Sequence, residues 1–383
     1  MNNLENKKGL IFVTTEYFGS RVYYPESRHE IYLNPEQTQS LIDSNKDDRH
    51  IIRIDNGPCD GLSSPIKISF NLTRECNLGC KHCLSSAGKK DDMEMTTVEH
   101  FRLIDQMRNS GTFFVTYGGG EPLLHPDLFE ILTYAGENHI ATSLVTNGIL
   151  LTESVAEKLN SANLDSITIS FDGLKQNHDF IRGKGSFTKT LNGVRTLRGL
   201  CKSAKLAIRM TVNSRNIGEC ETVVRLAEEL GMDMVRLTPL LLLGRAVHYP
   251  ELLLDKAEYI KFLTEMNLTS FRIPIILPNQ GDSKKWFVPP ENFGCHCGKE
   301  ACWITQNGDF YPCIFFGPDY NTGNLRDKSY LELWEASKRI ASFCGNDTCR
   351  TCGLYEKCRG GCRARAFWET SDINAVDPLC PRH

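Results

Sequence analysis

The sequence predicts an α/β fold: a partial (βα)6 TIM-like barrel followed by a small, Cys-rich C-terminal domain. Three observations predict it. Six short apolar runs, at 66–70, 113–117, 142–145, 166–170, 207–212 and 234–237, alternate with stretches of helical periodicity. Such alternation argues for parallel strands joined by right-handed crossovers. The 383 residues are 40% hydrophobic, enough for a large core. From Cys295 onward the pattern changes to Gly-rich turns and dense cysteine, which marks a second, smaller unit.

In chain order, residues 1–62 form a small β/α segment. Gly9-Leu-Ile-Phe-Val-Thr, Arg21-Val-Tyr-Tyr and Glu30-Ile-Tyr-Leu read as two or three short strands. Asn34 then serves as N-cap with Pro35 at the first helical position. Residues 63–250 are the barrel, with helices expected at 97–109, 126–137, 152–161, 187–200 and 217–230. Six repeats rather than eight suggest a barrel left open, with its chemistry at the C-terminal ends of the strands. Residues 251–291 connect the units through a helix at 255–266 and a Pro-rich tail, Phe287-Val-Pro-Pro. Residues 292–383 are the Cys-rich domain.

Composition removes several functional classes. The net charge of −3 and scattered basic residues provide no field to draw in nucleic acid or an anionic membrane. No run of 18 apolar residues exists to cross a bilayer. Met1-Asn-Asn-Leu-Glu-Asn-Lys-Lys lacks the apolar core of a signal peptide, so a cytoplasmic protein is expected. In that setting sixteen cysteines at tight spacings point to metal ligation rather than disulfides. Cys59, Cys201, Cys220 and Cys344 stand apart and read as ordinary thiols.

The first strand leads into Cys76-Asn-Leu-Gly-Cys80-Lys-His-Cys83. Soft thiolates at this spacing select Zn, Cu(I) or an iron–sulfur cluster. A [4Fe–4S] cube held by three thiolates keeps one iron open to another ligand. The second strand ends in Tyr117-Gly118-Gly119-Gly120-Glu121-Pro122, where glycines allow close backbone approach and positive φ. Small polar residues follow at later strand tips: Thr146 and Asn147, Ser170 and Asp172, then Arg182, and Asn213. Taken singly, each also suits a plain turn or cap. In the C-terminal domain Cys349-x2-Cys352-x5-Cys358-x3-Cys362 precedes Cys380 and follows Cys295, Cys302 and Cys313. Eight thiolates suffice for two fully ligated [4Fe–4S] clusters.

The CxxxCxxC motif resembles the signature of the radical SAM superfamily, with His82 where an aromatic residue is usual, and Gly119-Gly120-Glu121-Pro122 resembles its GGEP motif. The C-terminal cysteines resemble the SPASM domain of radical SAM peptide-modifying enzymes. Cys80-Lys-His-Cys83-Leu-Ser-Ser-Ala-Gly88, Asn324-Leu-Arg326 and Cys358-Arg-Gly-Gly-Cys362 look most like the mycofactocin-maturase family. The resemblance implies S-adenosylmethionine and three [4Fe–4S] clusters, one catalytic and two auxiliary. It implies that Cys76, Cys80 and Cys83 hold the catalytic cluster. Cys295, Cys302, Cys313 and Cys362 then hold one auxiliary cluster, and Cys349, Cys352, Cys358 and Cys380 the other. Cys297 departs from the pattern as an alternative to Cys295 or Cys302. Tyr117, Gly118, Gly119, Gly120, Glu121, Thr146, Asn147, Ser170, Asp172, Arg182 and Asn213 are carried over as cofactor contacts, with Arg182 facing the cofactor carboxylate. No side chain stands out as acid or base, and Tyr117 and Cys297 are the candidate hydrogen donors.

By the same resemblance the deoxyadenosyl radical takes a hydrogen from a residue, such as Tyr, of a ribosomally made precursor peptide. A flavodoxin or ferredoxin would supply electrons, and a separate leader-peptide-binding protein could assist. Residues 1–62 resemble a shortened leader-peptide-binding module. Two other readings stay open: oxidation of a protein Cys or Ser, or tetrapyrrole modification, by the same chemistry; and a zinc-stabilised binding module.

Overall fold

The structure is a computed structural model that describes residues 9–45, 51–59, 61–277, 295, 297–338 and 345–382. The Pro-rich tail at 287–290, Met1–Lys8 and Cys344 lie outside the described residues. Strands β1 (Ile11–Glu16), β2 (Gly19–Tyr24) and β3 (His29–Leu33) run antiparallel in succession. Helix α1 (Pro35–Ser44) begins where the sequence predicts: the Asn34 side chain accepts from the amide of Gln37, whose side chain returns to the Asn34 amide in a capping box. A fourth strand, β4 (Ile51–Ile54), pairs parallel with β1. Tyr23 stacks on Phe113 at a centroid distance of 4.3 Å, and Arg21 bonds Glu16 at 2.6 Å and Ser64 Oγ at 2.7 Å. The small sheet is thereby fastened to the start of the barrel.

The barrel strands are β5 (Lys67–Thr73), β6 (Phe114–Gly119), β7 (Ala141–Thr146), β8 (Ser166–Ser170), β9 (Lys205–Val212) and β10 (Met234–Pro239), each parallel to its predecessor. The crossovers are α2 (Thr97–Ser110), α3 (Leu128–Glu137), α4 (Glu153–Ser161), the pair α5 (Lys175–Arg182) and α6 (Ser186–Leu200), and α7 (Cys220–Glu229). The sequence reading misses α5 because His178 and Ile181 make too short an apolar stripe to stand out. After α8 (Lys256–Leu268), β11 (Ile275–Ile276) pairs with β10.

The Cys-rich segment does not stand apart from this sheet. Its strand β12 (Ala301–Ile304) pairs parallel with β5, and β13 (Asp309–Tyr311) and β14 (Gly323–Asn324) extend it to ten strands. Helices α9 (Tyr330–Lys338), α10 (Asp347–Arg350), α11 (Tyr355–Cys358) and α12 (Arg363–Thr370) complete it. Arg326 binds α2 through Glu99 at 2.6 Å, a second fastening between segments distant in sequence.

The strands alternate, as period two requires. Ile68, Phe70, Val115, Tyr117, Leu144, Ile167, Ile169, Ile208, Met210, Val235 and Leu237 share one core with the helices. The register sets Ser69, Thr116, Ser143, Thr168, Arg209 and Arg236 on the opposite face. That polar face leads toward the strand tips where the motifs lie.

Candidate active site

The Cys76–Cys83 loop leaves the tip of β5 and is closed at its base. The Cys76 amide donates to Gly88 O at 2.8 Å and the Gly88 amide to Arg74 O at 2.9 Å. Burial pushes the Cys76 thiol up to about 11, with Cys80 and Cys83 adding to the shift, so the three sulfurs lie within electrostatic reach. Among the described residues no three donors converge as a single metal ion requires. A four-iron cube is larger than one ion and takes thiolates that are set further apart.

Two guanidinium groups flank Cys80. Arg182 Nη1 stands 3.9 Å from its sulfur, and Arg245 Nε donates to its carbonyl at 2.8 Å. Arg245 also holds Ala87 O at 2.6 Å through Nη1 and Cys83 O at 3.0 Å through its amide. Gly244, at φ +58°, lets this segment lie against the loop. The end of the last barrel strand therefore clamps the loop that follows the first. Sequence reading missed Arg245; its signal was a Gly-Arg pair just beyond the sixth strand, a strand end like those that carry the other barrel motifs.

Asp172, fully buried beyond β8, organises the next layer. Its Oδ2 accepts from Arg182 Nε at 2.6 Å and meets His82 Nε2 at 2.8 Å, while Oδ1 accepts from the Thr211 amide at 2.7 Å. Burial opposes its charge, but Arg182 and His82 outweigh that and hold the carboxyl well below the usual range. Asp172 thus ties the loop, α5 and β9 together. The expected pairing of Arg182 with a cofactor carboxylate competes with these two contacts.

The glycine turn is held as tightly. The Gly120 amide donates to Thr73 O at 2.8 Å, and a Cβ on Gly120 would stand 2.1 Å from Glu75 O. A Cβ on Gly118 would meet the Val145 side chain at 3.7 Å, an ordinary contact, and Gly119 takes φ +107°. Glu121 is buried and accepts from Thr146 Oγ1 at 2.7 Å, Asn147 N at 2.8 Å and Leu123 N at 3.2 Å. It joins the tips of β6 and β7. Asn147 reaches Asn77, beside Cys76, at 2.7 Å. Asn213 turns its amide group back on Thr211 O at 3.1 Å, and Ser170 sits half-buried on the polar face. Tyr117 pairs in register with Phe70 and Leu144, which directs it into the helix-side core, away from the polar face.

Among the C-terminal cysteines, tertiary structure groups Cys295, Cys297, Cys313 and Cys362. The Cys297 thiol is pushed far up by its hydrogen bond with Cys295, by burial, and by Cys313 and Cys362. Cys302, expected in this set, instead lies on β12 in register with Ile68, buried in the main core. Burial alone pushes its thiol well up. Period two explains the difference: Cys302 and Ile304 both point into the helix-side core. In the second group the Cys352 amide donates to Cys349 O at 3.0 Å, and Cys380 raises the thiol of Cys358 after burial has done so. Asp377 links the two groups. It accepts from the Cys362 amide at 2.7 Å and from Arg365 at 2.6 and 2.7 Å, and its carbonyl accepts from the Cys380 amide at 2.8 Å.

A Cys-loop at the first strand tip of a partial parallel barrel, with a further set of thiols gathered in the C-terminal segment, defines a radical SAM enzyme with an auxiliary iron–sulfur domain. Residues 70–227 match the radical SAM superfamily and residues 295–363 the SPASM iron–sulfur cluster-binding domain. The chain is 32% identical over 336 residues to mycofactocin maturase MftC of Mycobacterium ulcerans, covering 84% of this chain and 89% of the relative. It is 28% identical over 347 residues to the AdoMet-dependent heme synthase of Nitratidesulfovibrio vulgaris, covering 84% and 93%. In fold it resembles Streptococcus suis SuiB bound to precursor peptide SuiA, with TM-score 0.77, 17% identity and coverage of 98% and 99%. The chain belongs to the radical SAM/SPASM family, and S-adenosylmethionine and iron–sulfur clusters are its cofactors. The zinc-stabilised binding module is thereby set aside. Among the described residues no helix is long and apolar enough to cross a membrane.

Proposed function

We propose that this chain matures a ribosomally made precursor peptide by oxidising one of its side chains, with tyrosine as the target. The observation that carries the reading is the 32% identity to mycofactocin maturase across 84% of the chain. When bound, the cluster and S-adenosylmethionine supply one-electron chemistry able to take hydrogen from an unactivated carbon. In this reading Cys76, Cys80 and Cys83 hold the catalytic cluster, clamped by Arg245. Gly118, Gly119 and Gly120 admit the cofactor's amino group, Ser170 and Asn213 lie near its ribose, and Glu121, Thr146 and Asn147 keep the neighbouring tips in place. Cys295, Cys297, Cys313 and Cys362 hold one auxiliary cluster and Cys349, Cys352, Cys358 and Cys380 the other.

The small N-terminal sheet supports a peptide substrate. Strand β3 lies at its edge, where an extended leader segment can add as a further strand. A separate leader-binding protein, a flavodoxin or ferredoxin as electron donor, and a cytoplasmic setting complete the reading.

The heme synthase relative favours a second reading, tetrapyrrole modification by the same cofactor. Co-expression with the short peptide encoded beside the gene, followed by mass spectrometry, separates the two. A peptide mass change that disappears in Cys76→Ala is the expected result. An unmodified peptide together with consumption of an iron porphyrin overturns it.

A further inference from the structure

Helix α12 bears on the group of Cys295, Cys297, Cys313 and Cys362 at both of its ends. Cys362 is its N-cap, and near its C-terminus Trp368 reaches the segment that follows Cys313. The indole Nε1 donates to Phe315 O at 2.8 Å, although Trp368 is 41% exposed. The Phe315 amide in turn donates to Cys313 Sγ at 3.5 Å. Burial, Cys295 and Cys362 disfavour the Cys313 thiolate, and this amide favours it. Phe315 is thus held at its carbonyl by the indole while its amide holds the sulfur. Gly317 lets the ring approach: a Cβ there would stand 2.8 Å from Trp368 Cζ2 and 3.0 Å from Cη2. The Phe367 ring lies 5.4 Å from Trp368 and 5.2 Å from Tyr320, and Phe367, Tyr320 and Phe316 pack with the four cysteines in one apolar cluster. Tryptophan is buried in large part on average, so an exposed indole committed to a loop carbonyl calls for a role.

We infer that Trp368 is a positioning residue for the auxiliary cluster assigned to Cys313: it fixes the Phe315 amide on the sulfur and so raises that cluster's reduction potential. The inference rests on the ligand set proposed above. Hydrogen bonds to the sulfurs and solvent exposure both set the potential of an iron–sulfur cluster. The reduced form carries one more negative charge, so a donor on the sulfur stabilises it more than the oxidised form. Without the indole, Phe315 loses the bond that fixes its peptide plane, and the amide is free to leave the sulfur. Water admitted at the same place also favours the more highly charged form and would raise the potential. Positioning an amide and shielding a cluster, the two roles open to this indole, therefore predict opposite signs. Phe315 and Trp368 are 53 positions apart, so no local pattern in the sequence pairs them.

The test is an anaerobic redox titration of the reconstituted holoprotein followed by EPR, with S-adenosylmethionine added to a parallel sample to mark the catalytic cluster. Trp368→Phe keeps a ring beside Gly317 and removes the Nε1 donor. The expected result is one auxiliary midpoint potential lower than in wild type, with the other potentials and the iron content unchanged. An unchanged potential overturns the inference, and so does a raised one, which would assign Trp368 to shielding. Should Trp368→Phe lose iron, the potential is read from Gly317→Ala, whose Cβ displaces the ring with the indole intact and whose φ of −84° suits alanine. There too a lower potential supports the inference, and an unchanged or raised one overturns it. Failure of the ligand set has a different signature: Cys313→Ala then keeps wild-type iron instead of losing about four per chain.

Discussion

Gly244 lies so close to Leu84 that a Cβ on the glycine would stand 2.2 Å from the Leu84 carbonyl oxygen. The two residues are 160 positions apart, yet their contact closes the barrel's last strand over its first loop. Gly244→Ala places that Cβ also 2.3 Å from Cys83 O and forces a non-Gly residue to φ +58°. The backbone cannot yield without moving the Cys80–Cys83 segment. The expected outcome is loss of about four of about twelve irons per chain, the auxiliary clusters remaining. Iron assay and visible absorption of the anaerobically reconstituted protein check this; full iron content would mean the clamp is dispensable.

Cys297 and Cys302 respond differently to the same substitution. Cys297→Ala removes a thiol grouped with Cys295, Cys313 and Cys362, and lowers iron by about four per chain. Cys302→Ala empties a small volume in the apolar core, keeps iron at the wild-type level and costs about 1 kcal/mol. The reverse pattern of iron loss would return Cys302 to the ligand set.

Asp377 and Arg365 are a buried bidentate pair, with side-chain exposures of 4% each. Asp377→Ala strands the guanidinium and releases the Cys362 amide, at a cost of about 3–5 kcal/mol. Because the Asp377 carboxylate also holds the Leu379 amide, next to Cys380, at 3.0 Å, both auxiliary clusters become labile. Cluster loss should be faster in a chelator challenge, with the catalytic cluster still responding to S-adenosylmethionine. Wild-type rates of loss would argue against a shared support.

His100 gives the protein a pH dependence. It packs edge-on against Phe70 at 4.9 Å in the core, and burial, then His125, depress its pKa to about 3. The unfolded chain binds a proton near the ordinary value of 6.5 while the folded chain does not, so stability is full above pH 6.5 and falls as pH drops toward about 3. At pH 5.5 the loss is about 1.4 kcal/mol. His100→Phe should flatten the decline of melting temperature between pH 7 and 5.5; an unchanged slope would assign it to other groups.

Much of the fold was legible because its signals are local. The Asn34 cap, the six barrel strands and the Cys76–Cys83 loop each depend on residues a few positions apart, and the structure forms them there. The fourth N-terminal strand escaped notice because Ile51-Ile-Arg-Ile is too short to read without β1 beside it.

The sequence by itself determined the radical SAM and SPASM character of this protein, since thiol spacing and glycine turns are properties of contiguous chain. Only tertiary structure decided which thiols lie together. Cys297 and Cys302 lie five residues apart, but strand register buries one in the core and leaves the other among three thiols. It alone set Asp172 on His82 and Arg182, Arg245 on the Cys80 loop and Arg209 beside Arg236. Those contacts depend on how parallel strands align side by side, and that alignment is fixed by packing against the helices rather than by any local pattern.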